Sequence, residues 1–194
     1  MVLPEQEYDP KLALRAAKRR RPDPVDPVGF TIRDATLADM PHCREIYNHY
    51  VMNSVVTFDE TPVTHAGMRA KFQKSQKSGH PFLVAESPSG EILGYALVAS
   101  YRDKSAYRFT AEDSIYLGPG ATGKGIGTAL LGELIARATA SGLKELVAVI
   151  ADQGAEASIA LHERYGFVES GRMGRVGYKF GHWVGTVMLQ KSLK

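Results

Sequence analysis

Gly118-Pro119-Gly120-Ala121-Thr122-Gly123-Lys124-Gly125-Ile126-Gly127 places five glycines in ten residues, between an apolar strand pattern and a helical one. Glycines let successive backbone N–H groups converge, and a helix N-terminus adds partial positive charge. A loop of this kind suits a phosphate. Gly118 to Lys124 fits G-x-x-x-x-G-K, but Gly125 stands where a P-loop places a Ser or Thr hydroxyl for Mg²⁺. Gly118, Gly120 and Gly123 fit G-x-G-x-x-G. Both readings fail on length: 67 residues follow Gly127, about two strand–helix units, and a nucleotide-binding parallel sheet needs more chain after its loop. Two readings stay open: a turn with no ligand, and a pyrophosphate loop late in a mixed sheet.

Outward from the loop, Phe109 to Leu117 reads as the strand that enters it. Ile126, Leu130, Leu131, Leu134, Ile135 and Ala138 recur at helical spacing, so a helix runs to about Ser141 and stops at Gly142. Leu146 to Ile150 is a continuous apolar run, the mark of a strand covered on both faces. Ala157 to Tyr165 is a short helix ended by Gly166, and Phe167-Val168 and Trp183 to Leu189 are late strands. Upstream, Phe30 to Arg33 alternates like a strand. Thr36 to Asp39 resembles a capping box opening a helix to about Met52, with Asp in place of Glu or Gln. Thr64 to Ser78 is a polar helix; Pro81 to Ala85 and Ile92 to Ala99 are strands. The fold class is α/β: a mixed, mostly antiparallel twisted sheet with helices on both faces.

The chain has 194 residues and a net charge of +3, a balance too small to argue for nucleic acid. A single cysteine, Cys43, excludes an intrachain disulfide, and no Cys/His spacing suggests zinc. No apolar run approaches the ~18 residues of a membrane span, and the N-terminus lacks a signal-peptide core. A cytoplasmic setting without membrane or metal is expected. Residues 1–29 read as a basic, Pro-rich tail: six Lys and Arg lie between 11 and 21, followed by Pro22-Asp23-Pro24-Val25-Asp26-Pro27. Residues 30–194 read as one domain.

Five strings in order carry a resemblance: Ile46 to Tyr50; Thr57 to Val63; Ala106 to Tyr116; Leu161-His162-Glu163; and Gly177 to Trp183. Over residues 30–192 the chain resembles the GNAT acyltransferases, and within them the phosphinothricin and methionine sulfoximine N-acetyltransferases. The resemblance implies acetyl transfer from acetyl-CoA to the amine of a small amino-acid-like substrate, and a homodimer paired through Tyr178 to Trp183 and the late strand. Glu112 matches the family's proposed general base. A mid-strand carboxylate facing a cleft has the raised proton affinity that suits a base. Asp113 points the other way along the strand and is given no part. His162 matches a histidine the family is proposed to use beside the glutamate. Arg102 and Lys104 fall where the herbicide-detoxifying members carry basic residues, and Tyr107 matches a tyrosine. With Arg108 and a wall at Phe58 they would take an anionic substrate group.

For the cofactor, the resemblance assigns Thr122, Gly123, Lys124, Gly125, Ile126 and Gly127 to the pyrophosphate and the Leu117 backbone to the pantetheine arm. The chain departs from the family at three positions. Thr122 replaces a Gln or Arg, Ala155 replaces the Asn of N-x-A-S, and Gly185 replaces an Asp. The first two remove side-chain contacts near the cofactor, so weaker binding, or compensation by Lys124, is expected. Rival readings are the same chemistry on another amine or a peptide N-terminus, and a non-catalytic acyl-CoA-binding module.

Overall fold

Apolar alternation along the strands builds one seven-stranded sheet with helices on both faces. The structure, a computed structural model, describes residues 29–193; the expectation of a basic tail falls almost wholly outside them. The strands are β1 (Thr31–Asp34), β2 (Phe82–Glu86), β3 (Ile92–Ser100), β4 (Thr110–Leu117), β5 (Glu145–Ala151), β6 (Val168–Lys179) and β7 (His182–Ser192). The helices are α1 (Met40–Asn53), α2 (His65–Lys77), α3 (Ile126–Ala140) and α4 (Glu156–Arg164). The strand order is β1-β2-β3-β4-β5-β7-β6, antiparallel except for β4 and β5. Among the described residues no helix is long and apolar enough to cross a membrane.

The sheet's two faces have separate cores. Met40, Tyr47 and Val51 of α1 and Met68 and Phe72 of α2 cover Phe82, Val84, Tyr95 and Leu97. Leu130, Leu131, Leu134 and Ala138 of α3 cover Leu83, Ala85, Ala96, Val98 and Ala111. Strands buried on both faces read as unbroken apolar runs, which is why β2 and β5 were visible in the sequence. The expected capping box is present in stronger form. The Asp39 carboxylate accepts from the Thr36 N–H at 2.7 Å and is gripped by both Arg33 terminal nitrogens at 2.8 and 2.9 Å. Arg33 holds the Asp39 carboxyl down at about 2. A short 3-10 turn, Leu37–Asp39, precedes α1.

The largest departure from the sequence reading is β6. Two residues were expected as strand, and twelve form it. It is an edge strand, mostly exposed, with register irregularities between Glu169 and Gly171 and between Met173 and Gly177. Glycines and polar residues erase the alternation that would reveal it. β6 returns into β7 through Phe180-Gly181, both with positive φ (51° and 80°), as a tight primed turn requires.

Gly185, one of the three departures, has a packing reason. Asp152, just past β5, accepts the Gly185 N–H at 2.8 Å and donates its own N–H to the Gly185 carbonyl at 3.1 Å. A Cβ at 185 would collide with the Asp152 carboxylate and lie 2.6 Å from the Met173 carbonyl oxygen. Gly185→Ala is therefore expected to cost about 1–3 kcal/mol, the usual penalty of overpacking, measured by urea unfolding. The double variant with Asp152→Ala should recover only part, because the Met173 backbone remains.

Candidate active site

β4 and β5 are paired for four residues, from Thr110↔Glu145 to Asp113↔Ala148, and then part. Beyond Asp113, β4 stays bonded to β3 as far as Leu117, while β5 stays bonded to β7 as far as Ala151. A parallel pair that separates leaves a wedge. Val149 stands 37% exposed in it, two residues beyond the buried Val147. At the open end of the wedge β4 runs into the glycine loop.

Gly120, Gly123 and Gly125 all adopt positive φ (78°, 75° and 78°), and nothing lies within 4 Å of where their Cβ atoms would be. Gly125 is the N-cap of α3, and no side chain caps the helix. Its first-turn N–H groups are thus free of intrahelical partners and carry the positive end of the helix dipole. Thr122 and Lys124 are exposed on the loop, while Ile126 and Gly127 are buried in the first turn. A Cβ at Gly127 would touch Leu161 of α4 and Leu117 at 3.5 and 3.6 Å, so glycine keeps the three elements close. The Leu117 carbonyl accepts from the Tyr50 hydroxyl at 2.8 Å. This donor set fits a pyrophosphate. The loop also borders a groove of about 650 Å³ walled by His42, Ile46 and His49 of α1. A second groove, about 440 Å³, lies by Leu37, Pro41 and His65, away from Glu112.

Glu112 lies at the last rungs before the parting, in register with Ala99 on β3 and Val147 on β5. Strand alternation turns it to the α1–α2 face together with Tyr116. Burial pushes its carboxyl above the usual range; the neighbouring Asp113 pushes the same way and Arg102 pulls back. Arg102 lies against the Tyr101 ring at 4.8 Å, and Tyr101 meets Tyr107 edge-on at 5.6 Å. Lys104 caps the 3-10 turn Ser105–Tyr107, and Arg108 rests on Phe109 at 4.5 Å. All four candidate substrate residues of this segment are exposed, and Arg102 is the one whose charge reaches Glu112.

The segment before α2 supplies the facing wall, and the quoted strings turn out to fasten it. The Asn48 side chain accepts from the Val63 N–H at 2.8 Å and donates to the Val63 carbonyl at 3.0 Å. The Tyr47 hydroxyl donates to Asp59 at 2.6 Å and lies 3.0 Å from the Thr57 hydroxyl. Lys179, only 3% exposed, donates to the Thr57 carbonyl at 2.8 Å and ties the segment to β6. Phe58, 39% exposed, packs where a side chain at Gly177 would otherwise stand. The sequence reading assigned no role to Tyr47, Asp59 or Lys179, although all three stand in the quoted strings.

His162 is buried on the face of the sheet opposite to that of Glu112, with its Nε2 2.8 Å from Asp113 Oδ2. The reason is alternation: Asp113 follows Glu112 on β4 and must point to the α3–α4 side, where His162 lies.

The profile described as the Acetyltransferase (GNAT) family matches residues 43–167. A phosphinothricin N-acetyltransferase of Alcaligenes faecalis is 44% identical over 84% of this chain and 82% of its own length. An L-methionine sulfoximine/L-methionine sulfone acetyltransferase of Pseudomonas aeruginosa is 44% identical over 84% and 94%. Among solved structures, a phosphinothricin acetyltransferase from Sinorhizobium meliloti in complex with acetyl-CoA superposes with a TM-score of 0.81 at 45% identity, over 84% of this chain and 88% of that one. On the profile match and these relatives, the chain belongs to the acetyltransferase (GNAT) family.

Proposed function

We propose that this chain is an acetyl-CoA-dependent N-acetyltransferase acting on the amine of a small amino acid with a strongly polar head group, such as phosphinothricin or methionine sulfoximine, with Glu112 as general base. The observation that carries the reading is the half-buried Glu112 at the parting of β4 and β5, its carboxyl pushed upward by burial, with Arg102 as the cation that reaches it. Relatives with these two substrate names, 44% identical over most of the chain, support the substrate class. The N–H groups of Gly123 to Gly127 would hold the pyrophosphate, and Lys124 would add charge. Bound acetyl-CoA supplies an activated acetyl group. Glu112 takes the proton of the incoming ammonium and so exposes the nitrogen lone pair. Arg102, Lys104, Tyr107 and Arg108 hold the substrate's anionic groups, and Phe58 walls the amine side. The exposed Val176, Tyr178, Phe180 and Trp183 of the β6–β7 hairpin support a homodimer; sedimentation at dimer mass is expected, and a monomer at micromolar concentration would count against it.

Release of CoA thiol, followed with phosphinothricin, methionine sulfoximine, common amino acids and polyamines, tests the function. Glu112→Gln should lower kcat/KM about 10²–10⁴-fold without lowering thermal stability, since a half-buried carboxylate is replaced by a neutral isostere. The base works deprotonated, so kcat/KM should fall as pH drops through a midpoint above the ordinary carboxylate range. Full turnover in Glu112→Gln would remove Glu112 from the chemistry, and turnover on other amines alone would remove the substrate class.

Calorimetric titration with acetyl-CoA tests the loop. An L side chain at the positive φ of Gly125 is strained by about 1–2 kcal/mol. Gly125→Ala should therefore weaken binding roughly 5–30-fold as the loop rotates its N–H groups away. Thr122→Ala should change it little.

A further inference from the structure

Asp113 and His162 form a buried couple directly behind Glu112. His162 is 2% exposed and Asp113 5%. The two ring nitrogens of His162 are both engaged, Nδ1 at 2.7 Å from the Ser158 carbonyl and Nε2 at 2.8 Å from Asp113 Oδ2. A carbonyl only accepts, so Nδ1 carries a proton. A second proton must then lie between Nε2 and Oδ2, and an ionised Asp113 requires a doubly protonated ring. Burial works against charge on His162, but the bond to Asp113, its charge and the Ser158 carbonyl together raise the ring's proton affinity. Phe167 meets the ring edge-on at 4.9 Å and fixes its plane. Asp113 Oδ1 is buried with no hydrogen-bond partner, so the hydrogen bonding of this side chain runs through Oδ2 to His162.

The couple stands at a particular place. Asp113 is the last residue of β4 in register with β5. His162 comes from α4, the helix that follows β5. The bond therefore straps α4 to β4 across the point where the strands part. It also stands beside Glu112, for which the groups that matter electrostatically are Asp113 of its own strand and Arg102 of the 101–109 segment. Tyr116 of β4 feels Glu112 in turn, and the register partners Ala99 and Val147 are apolar. Among the described residues, the charge that acts on His162 is that of Asp113. With both nitrogens committed and the strand between, the ring cannot reach a proton at Glu112.

We propose that His162 is a positioning residue: bonded to Asp113, it supplies the counter-charge that shields Glu112 from its strand neighbour and pins α4 to β4 at the parting of the strands. The part of this that concerns catalysis rests on Glu112 as the base. Two carboxylates on successive residues repel, and a bare Asp113 would raise the proton affinity of Glu112 further and leave less base at neutral pH.

The test follows the Glu112 carboxyl by ¹³C NMR in the free protein, alongside the pH profile of kcat/KM. His162→Gln keeps an N–H toward Asp113 but removes the positive charge. The Glu112 midpoint should rise by about one pH unit, the size of one uncompensated neighbouring charge, and the acid limb of kcat/KM should rise with it. Asp113→Asn removes the negative charge, and with it the reason for a second proton on His162, so the midpoint should stay near its native value. The double variant should return there too. A rise in His162→Gln that Asp113→Asn reverses supports the proposal, and a purely structural role would produce no such reversal. A midpoint unmoved in His162→Gln, or still raised in the double variant, overturns it. So does loss of the alkaline limb in His162→Gln, which would mark His162 as a proton donor. Should His162→Gln not fold, the ¹⁵N shifts of the native His162 ring decide: two protonated nitrogens at neutral pH support the proposal, and a neutral ring overturns it. The NMR midpoint is read without substrate, so a failure of Glu112 as base, seen in the turnover of Glu112→Gln, registers separately.

Discussion

Four residues of parallel pairing, and then none, set the geometry of this molecule. Had β4 and β5 stayed in register to their ends, the loop after β4 would open over a closed sheet. The first turn of α3 would then face solvent with nothing beside it. Because β5 follows β7 and β4 follows β3 past Asp113, the parting exposes one side of β4, opens Val149 to the wedge and aims the glycine loop across its mouth. Glu112 sits one residue before the last pair that holds the two strands together, so its position is stiff although a gap begins just beyond Asp113.

Strand alternation then assigns the chemistry to faces. On β4, Glu112 and Tyr116 turn toward α1 and α2, and Asp113 and Ile115 toward α3 and α4. The first face is finished by a wall that is not part of the sheet, the segment held by Asn48, Tyr47 and Lys179. These tethers come from α1 and from the far edge strand. The wall is thus tied both to α1 and to the edge strand β6. A change in the β6–β7 hairpin can reach Phe58 through Lys179 without touching Glu112.

The sequence displayed the local parts of this arrangement and hid the parts that depend on distance along the chain. Gly125 could be placed before a helix because N-caps and glycine loops are short-range signals, and β2 and β5 because full burial writes a continuous apolar run. β6 was missed because an exposed edge strand with Gly171, Gly174 and Gly177 needs neither alternation nor apolarity. The bond between Asp113 and His162 spans 49 residues. Nothing in Leu161-His162-Glu163 says which face of β4 that histidine meets, and the structure sets it against Asp113. Gly185 reads as a lost acid in the sequence, but Asp152, just past the end of the neighbouring β5, fills its space.

Thr122 and Ala155 are the positions that made a non-catalytic module worth weighing, and their surroundings bear on how a cofactor would be gripped. Ala155 is buried at the N-cap of α4 with no side-chain cap, and the Glu156 carboxylate turns back to accept the N–H of Gly154, ahead of the helix, at 3.2 Å. Thr122 stands exposed beside Gly123. Neither substitution disturbs the three positive-φ glycines or the uncapped start of α3, which set where the N–H groups point. A pyrophosphate carries its charge on oxygens that backbone donors and a helix dipole can satisfy together. Side chains at 122 and 155 would add contacts to such a grip without creating it. The loss of both is therefore compatible with a working acetyltransferase, because the phosphate site is built into the conformation of the loop.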